Sequence, residues 1–225
     1  MVTHLKTWVL SIAAALAVAG TVIRAIFFTP FEVVQGPAQK IFYLHAPAAW
    51  VAFLAFGLVA IASALYLWLR DERLDRFAES SAEVGVVFTT VVLITGPLWG
   101  KPIWGTYWTW DARLTLTLFL WFIYVGYIVL RGAIDDHSMR ARYSAVLGIL
   151  GAFLIPFIHL SVYLFRTLHP MPIVLKPSAP SLPGEMLTTL LMSFLSFTLL
   201  YAAFLQARYR LAGERDVVEA AADAR

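Results

Sequence analysis

Six apolar stretches constrain this chain more than any other feature of its sequence. They run over residues 7–28, 46–69, 84–98, 114–130, 143–165 and 184–205. The third and fourth are short against the roughly 20 residues that cross a hydrocarbon core of about 30 Å. In lipid a backbone has no water to bond to, so segments of this length must close their hydrogen bonds internally as helices. Nothing alternates with period two over the ten-residue units of a membrane barrel. The composition agrees. At 60% hydrophobic and 14% charged residues, there is too little polar surface to coat a water-soluble globule. A net charge of +3 without any block of basic residues gives no reason to expect nucleic acid. The absence of cysteine excludes disulfides, thiolate metal sites and the C-x-x-C-H attachment of c-type haem. With no internal repeat or linker, the expectation is an all-α integral membrane protein: one six-helix domain over residues 1–225.

Lysine and arginine set the expected orientation. One class of flanking segments holds Lys6, Arg70, Arg73, Arg76, Arg131, Arg140, Arg142, Arg208, Arg210, Arg215 and Arg225. The other holds only Lys40, Lys101, Arg113, Arg166 and Lys176, and Arg24 lies inside the first span. The positive-inside rule then places both termini in the cytoplasm and the odd loops outside. Ala17-Val18-Ala19 after an apolar run imitates a signal-peptide cleavage site. The run continues past it to Phe28, so the first span is expected to remain. The inner connections, with Asp71, Glu72, Asp75, Asp135 and Asp136 among arginines, read as solvated linkers.

The middle outer segment, Trp99-Gly-Lys-Pro-Ile-Trp104-Gly-Thr-Tyr-Trp108-Thr-Trp110-Asp111, holds half of the chain's 8 tryptophans. An aromatic belt at the membrane interface is one reading. A belt spreads its rings over many helix ends, however, whereas these are concentrated in one segment. Gly96, Gly100, Gly105, Pro97 and Pro102 suggest a specified loop shape rather than a helix end, and Asp111 stands where the fourth span needs its N-cap. The sum resembles an apolar platform for a large planar ligand. Of the five histidines, His4 and His137 read as surface residues. His159, inside the fifth span, has no histidine in another span to face it and is expected to bond a helix carbonyl. His45 enters the second span and His169 follows the fifth, both on the outer side. Either alone reads as a capping residue. Together they flank the tryptophan segment, and paired imidazoles are one way to hold haem iron. The five outer cations are equally readable as propionate partners or as interfacial side chains.

These residues resemble a known family. The run Trp99 to Asp111, continuing Ala-Arg113-Leu-Thr, resembles the WWD signature of membrane haem-handling proteins. Gln35-Gly36 with Lys40-Ile-Phe-Tyr-Leu-His45-Ala-Pro47-Ala-Ala, and Arg166-Thr-Leu-His169, resemble the first and last outer loops of the same group. With six spans and this short loop set, the chain is similar to the cytochrome c maturation protein C (haem exporter protein C) family. The resemblance implies a protein of the bacterial inner membrane that binds haem b non-covalently on the periplasmic side, with His45 and His169 as axial ligands to iron. It implies a surface for the ligand made of Trp99, Trp104, Trp108, Trp110, Asp111 and Arg113. It also implies delivery of haem to a periplasmic chaperone, maturation protein E, which takes it covalently on a histidine of its own. The implied neighbours are an ABC transporter of maturation proteins A and B and the small membrane protein D. Pro170 departs from the polar residue expected after His169. No nucleophile–base pair and no phosphate-binding glycine loop is readable, so an enzyme is not expected and ATP belongs to a partner. The competing classes are a b-type-haem electron-transfer subunit, which needs paired histidines within the spans, and a haem-free scaffold of an ABC complex.

Overall fold

A computed structural model describes residues 2–174 and 176–223. Arg225, and the side chains of His4 and Lys6, lie outside what it describes. The described residues form helices α1 (Val2–Ile23), α2 (Phe42–Leu69), α3 (Glu72–Trp104), α4 (Ala112–Ala133), α5 (His137–Ala152), α6 (Leu154–Leu164) and α7 (Gly184–Asp223). Six stretches are long and apolar enough to cross a membrane, α5 and α6 together making the fifth.

That fifth stretch differs from the expectation of one continuous helix. Pro156 has no N–H, so the carbonyl of Ala152 loses its partner one turn earlier. The chain breaks at Phe153, whose N–H instead reaches Leu150 O at 3.3 Å. The third stretch differs more. Its apolar run covers only 84–98, yet α3 has 33 residues and is about 50 Å long. Hydropathy falls away at its ends while the backbone ladder continues. Asp71 caps the start, accepting from Arg73 N at 2.9 Å, and Gly105 at φ 76° ends it with its N–H on Lys101 O. Gly96, Gly100, Pro97 and Pro102 therefore belong to a helix, and only Gly105–Asp111 connects α3 to α4.

The central element is α2, packed against α3, α5 and α7; α1 packs on α7. Helices approach closely because lipid offers no hydrophobic drive between them, and small residues permit tight contact. A Cβ at Gly85 would lie 2.5 Å from the Phe56 ring, and one at Gly151 2.8 Å from Ile123. Phe56 stacks on Tyr124 with centroids 3.6 Å apart, and Tyr124 donates to Gly148 O at 2.8 Å. Ser81 bonds both Ala55 O and Tyr201, which ties α3 to α2 and α7. At the other seam, the backbone after α1 forms one π-turn (Arg24–Phe28). Arg24 Nε there donates to the fully buried Thr189 of α7 at 3.1 Å.

The expected solvated character of Asp75 is corrected by this packing. Asp75 is 4% exposed and accepts both guanidinium nitrogens of Arg131, itself 6% exposed, at 2.7 and 2.8 Å. Glu79 adds a contact to Arg131 at 3.2 Å and accepts two bonds from Arg215 of α7. Arg76 pairs with Asp216, and Arg208 with Glu83. The end of the bundle that holds the start of α3 and the end of α7 is therefore locked by ion pairs. His45, the tryptophan segment and His169 lie at the opposite end.

Candidate functional site

His45 lies in the first turn of α2, which a short 3₁₀ turn (Pro37–Ile41) feeds after Gly36. Its seat is built by α3. His45 Nδ1 and Thr95 Oγ1 share a hydrogen bond of 2.9 Å. The ring packs edge-on to Trp99 at 5.7 Å, and a Cβ at Gly96 would come within 3.2 Å of His45 Cε1. Gly96 thus leaves the space that the imidazole fills. Trp99 is held in turn by Gln35, which accepts from its Nε1 at 3.1 Å, and by the Phe42 ring at 5.6 Å.

Past Gly105 the chain turns on its own side chains. Thr106 Oγ1 donates to Trp108 O and accepts from Trp108 N, while Lys101 Nζ donates to Gly105 O at 2.9 Å. Trp104 folds back over Gly100, where a Cβ would stand 3.0 Å from its ring. Trp108 and Trp110 meet edge to face at 5.7 Å; Trp110 is 76% exposed. Two of the four tryptophans therefore sit on the last turns of α3 and two on the connection. Trp99 alone among them touches a histidine of the pair through a ring contact among the described residues.

Asp111 is the N-cap expected from the sequence, accepting from Leu114 N at 3.0 Å. Its other oxygen accepts from Thr109 Oγ1 at 3.1 Å and Leu168 N at 3.4 Å. That second role was not readable, because it joins residues 57 positions apart. It fixes the tryptophan connection to the segment carrying His169. His169 Nδ1 lies 3.0 Å from Pro170 O. A carbonyl only accepts, so Nδ1 carries the proton and Nε2 keeps its lone pair. Burial first, then the charge of Arg113, pushes the His169 pKa down to about 4, against the Pro170 bond and Asp111, which raise it. The imidazole is therefore neutral at ordinary pH. His45 and His169 lie within electrostatic reach of each other and of Arg113.

The five cations expected on the outer side, equivalent in the sequence, are unequal in the structure. Lys40 is bonded to the carbonyls of Thr29 and Pro30, Lys101 to Gly105 O, and Lys176 to Ser181. Arg166 is exposed. Arg113 is half-buried, in electrostatic reach of both histidines and of Asp111, and its guanidinium makes no hydrogen bond or salt bridge among the described residues. Trp108 Nε1 is likewise buried without an acceptor. His159 departs from its expectation: it is exposed on α6, with a tilted contact to Tyr163 at 6.4 Å and no hydrogen bond to a carbonyl among the described residues. The reason is that its helix face points away from α4, against which α6 packs.

The family model for heme exporter protein C matches residues 1–222. Heme exporter protein C of Bradyrhizobium diazoefficiens is 42% identical over 172 residues, 76% of this chain and 65% of that protein. The protein of the same name from Haemophilus influenzae is 35% identical over 84% of this chain and 77% of its own length. A putative cytochrome c biosynthesis ccmC-like mitochondrial protein of Marchantia polymorpha is 36% identical over 80% of this chain and 76% of its own length. The chain thus spans just under two thirds of the Bradyrhizobium relative and about three quarters of the other two. With the match running through all six apolar stretches, the chain is a multi-pass membrane protein and belongs to the heme exporter protein C family.

Proposed function

We propose that this chain collects haem b, non-covalently, at the outer face of the bacterial cytoplasmic membrane and presents it to a periplasmic haem chaperone during c-type cytochrome assembly. The observation that carries the reading is geometric: Thr95 and Trp99 seat the His45 ring, and Asp111 ties the tryptophan connection to the segment that carries His169, with Arg113 in electrostatic reach of both histidines. Haem is the cargo; it offers an iron that takes two axial nitrogens and propionates that take cationic or N–H donors.

The residues fit such a cargo. His169 presents Nε2, since Nδ1 is committed to Pro170 O. Arg113 is the guanidinium free to meet a propionate in a two-pronged bond, and the buried Trp108 Nε1 lacks the acceptor that an anionic oxygen would supply. Trp99 holds the His45 ring from the side. Trp104 and Trp110 add apolar walls, and Asp111 keeps the His169 segment against the tryptophan connection. Between this end and the ion-paired end lies an apolar core of Phe56, Val59, Leu120, Tyr124 and Ile158, which favours collection on one face over passage through the chain. The work of this protein is then binding and transfer rather than catalysis. Its partners would be maturation proteins A and B as the ABC transporter, D as a small membrane protein and E as the receiving chaperone. ATP is hydrolysed by the transporter.

The test is transfer. The purified full chain should carry a Soret band, and mixing with haem-free chaperone should move the haem to it. Protein that purifies without haem and binds none on titration would favour the scaffold. Haem that cycles with quinol and never transfers would favour the electron-transfer subunit.

A further inference from the structure

We propose that Thr95 is the positioning residue for His45, resting on the reading of His45 as an iron ligand: its hydroxyl holds the ring as the Nδ1–H tautomer and leaves Nε2 to bind the metal. Thr95 is 7% exposed, and its Oγ1 lies 2.7 Å from Val91 O and 2.9 Å from His45 Nδ1. A hydroxyl has one proton, and a carbonyl can only accept. The Thr95 proton therefore goes to Val91 O one turn back, the usual bond of a threonine inside a membrane helix. What faces the imidazole is a lone pair, so Nδ1 must donate.

The same device occurs elsewhere in this bundle with a partner that removes any ambiguity. Thr90 Oγ1 donates to Val86 O at 2.8 Å while accepting from Trp121 Nε1 at 2.8 Å. Thr198 donates to Phe194 O while accepting from Trp50 Nε1. An indole nitrogen only donates, so a threonine bonded to the preceding turn serves as an acceptor twice over. Thr95 places that acceptor under a histidine. Gly96 next to it admits the ring, and Trp99, one turn further on, closes its side.

A metal-bound histidine ordinarily gives its second N–H to such a partner, and the partner sets ring orientation and donor strength. Here it is a neutral hydroxyl rather than a carboxylate, and His169 uses a neutral carbonyl. Neither imidazole is pushed toward the imidazolate, so both remain moderate donors. That suits ligands whose bond to the cargo has to be broken on delivery.

The experiment uses the full chain in detergent, with ¹⁵N-labelled histidine, as wild type, Thr95→Ser and Thr95→Val. In the haem-free wild type, His45 should show a protonated Nδ1 and a bare Nε2. Thr95→Ser should preserve that signature, and Thr95→Val should shift the ring toward the Nε2–H form. On haem titration, Thr95→Val should bind about 10–100-fold more weakly, with Thr95→Ser close to wild type. A wild-type His45 already in the Nε2–H form, or a tautomer that Thr95→Val leaves unchanged, overturns the proposal whatever the haem affinity. A tautomer shift with no change in affinity overturns instead the reading of His45 as a ligand.

Discussion

Arg113 shows how much is decided by single side chains. The five cations expected outside are interchangeable by type, but only Arg113 combines electrostatic reach to the two histidines with a guanidinium that makes no hydrogen bond or salt bridge among the described residues. A charge-assisted bond to a propionate contributes about 1.5–3 kcal/mol. Arg113→Gln should therefore raise the Kd for haem roughly ten- to hundredfold, while the absorption spectrum of bound haem keeps its shape because the axial nitrogens are untouched. Arg113→Lys should recover part of the loss, since it restores charge without the fork. An unchanged titration curve for Arg113→Gln would assign the propionates elsewhere. His45, Asp111 and Arg113 were legible as candidates because each stands at a helix start beside a specified motif, and His169 because it follows the fifth apolar stretch. The partner of each was not legible. Asp111 meets Leu168, and His45 meets Thr95, across sequence separations that no local pattern encodes. His159 shows the converse limit: an apolar helix advertises its length but not which face is turned inward.

Helix α3 carries both ends of the molecule's organisation. Its last turns supply Thr95, Gly96, Trp99 and Trp104 to the candidate site, and its first turns supply Asp75, Arg76, Glu79 and Glu83 to the ion pairs opposite. The six spans were legible from hydropathy because lipid leaves the backbone few alternatives. The reach of α3 was not, since polar residues at 72–83 extend a helix as readily as a loop when they are paired. Breaking a buried ion pair by removing one partner costs about 3–5 kcal/mol, because the other charge stays buried. Asp75→Ala should accordingly lower the thermal unfolding temperature in detergent and reduce the amount of protein in the membrane. The haem spectrum of the protein that remains should be normal, because Asp75 lies at the far end of the bundle. An Asp75→Ala protein of wild-type stability would mean that Arg131 finds full compensation in Glu79.

At the scale of the whole molecule, alternating helices bring residues from three connections to one end, and the start of α1 and the end of α7 to the other. The orientation expected from the Lys and Arg distribution has the site outside. Reporter fusions within the Gly105–Asp111 connection and after Arg166 should read periplasmic, and fusions after Arg70 and Asp136 cytoplasmic. A cytoplasmic reading at the tryptophan connection would place the site where no periplasmic chaperone can meet it. The central claim, that His45 and His169 together hold one haem iron, is tested most directly by the absorption spectra of haem-loaded His45→Gly, His169→Gly and His159→Gly proteins, with and without added imidazole. Each of the first two should lose haem or become five-coordinate, and imidazole entering the gap should restore the six-coordinate spectrum by supplying the missing nitrogen. His159→Gly should keep the wild-type spectrum throughout. Wild-type spectra for His45→Gly and His169→Gly, with a change at His159→Gly, would contradict the account.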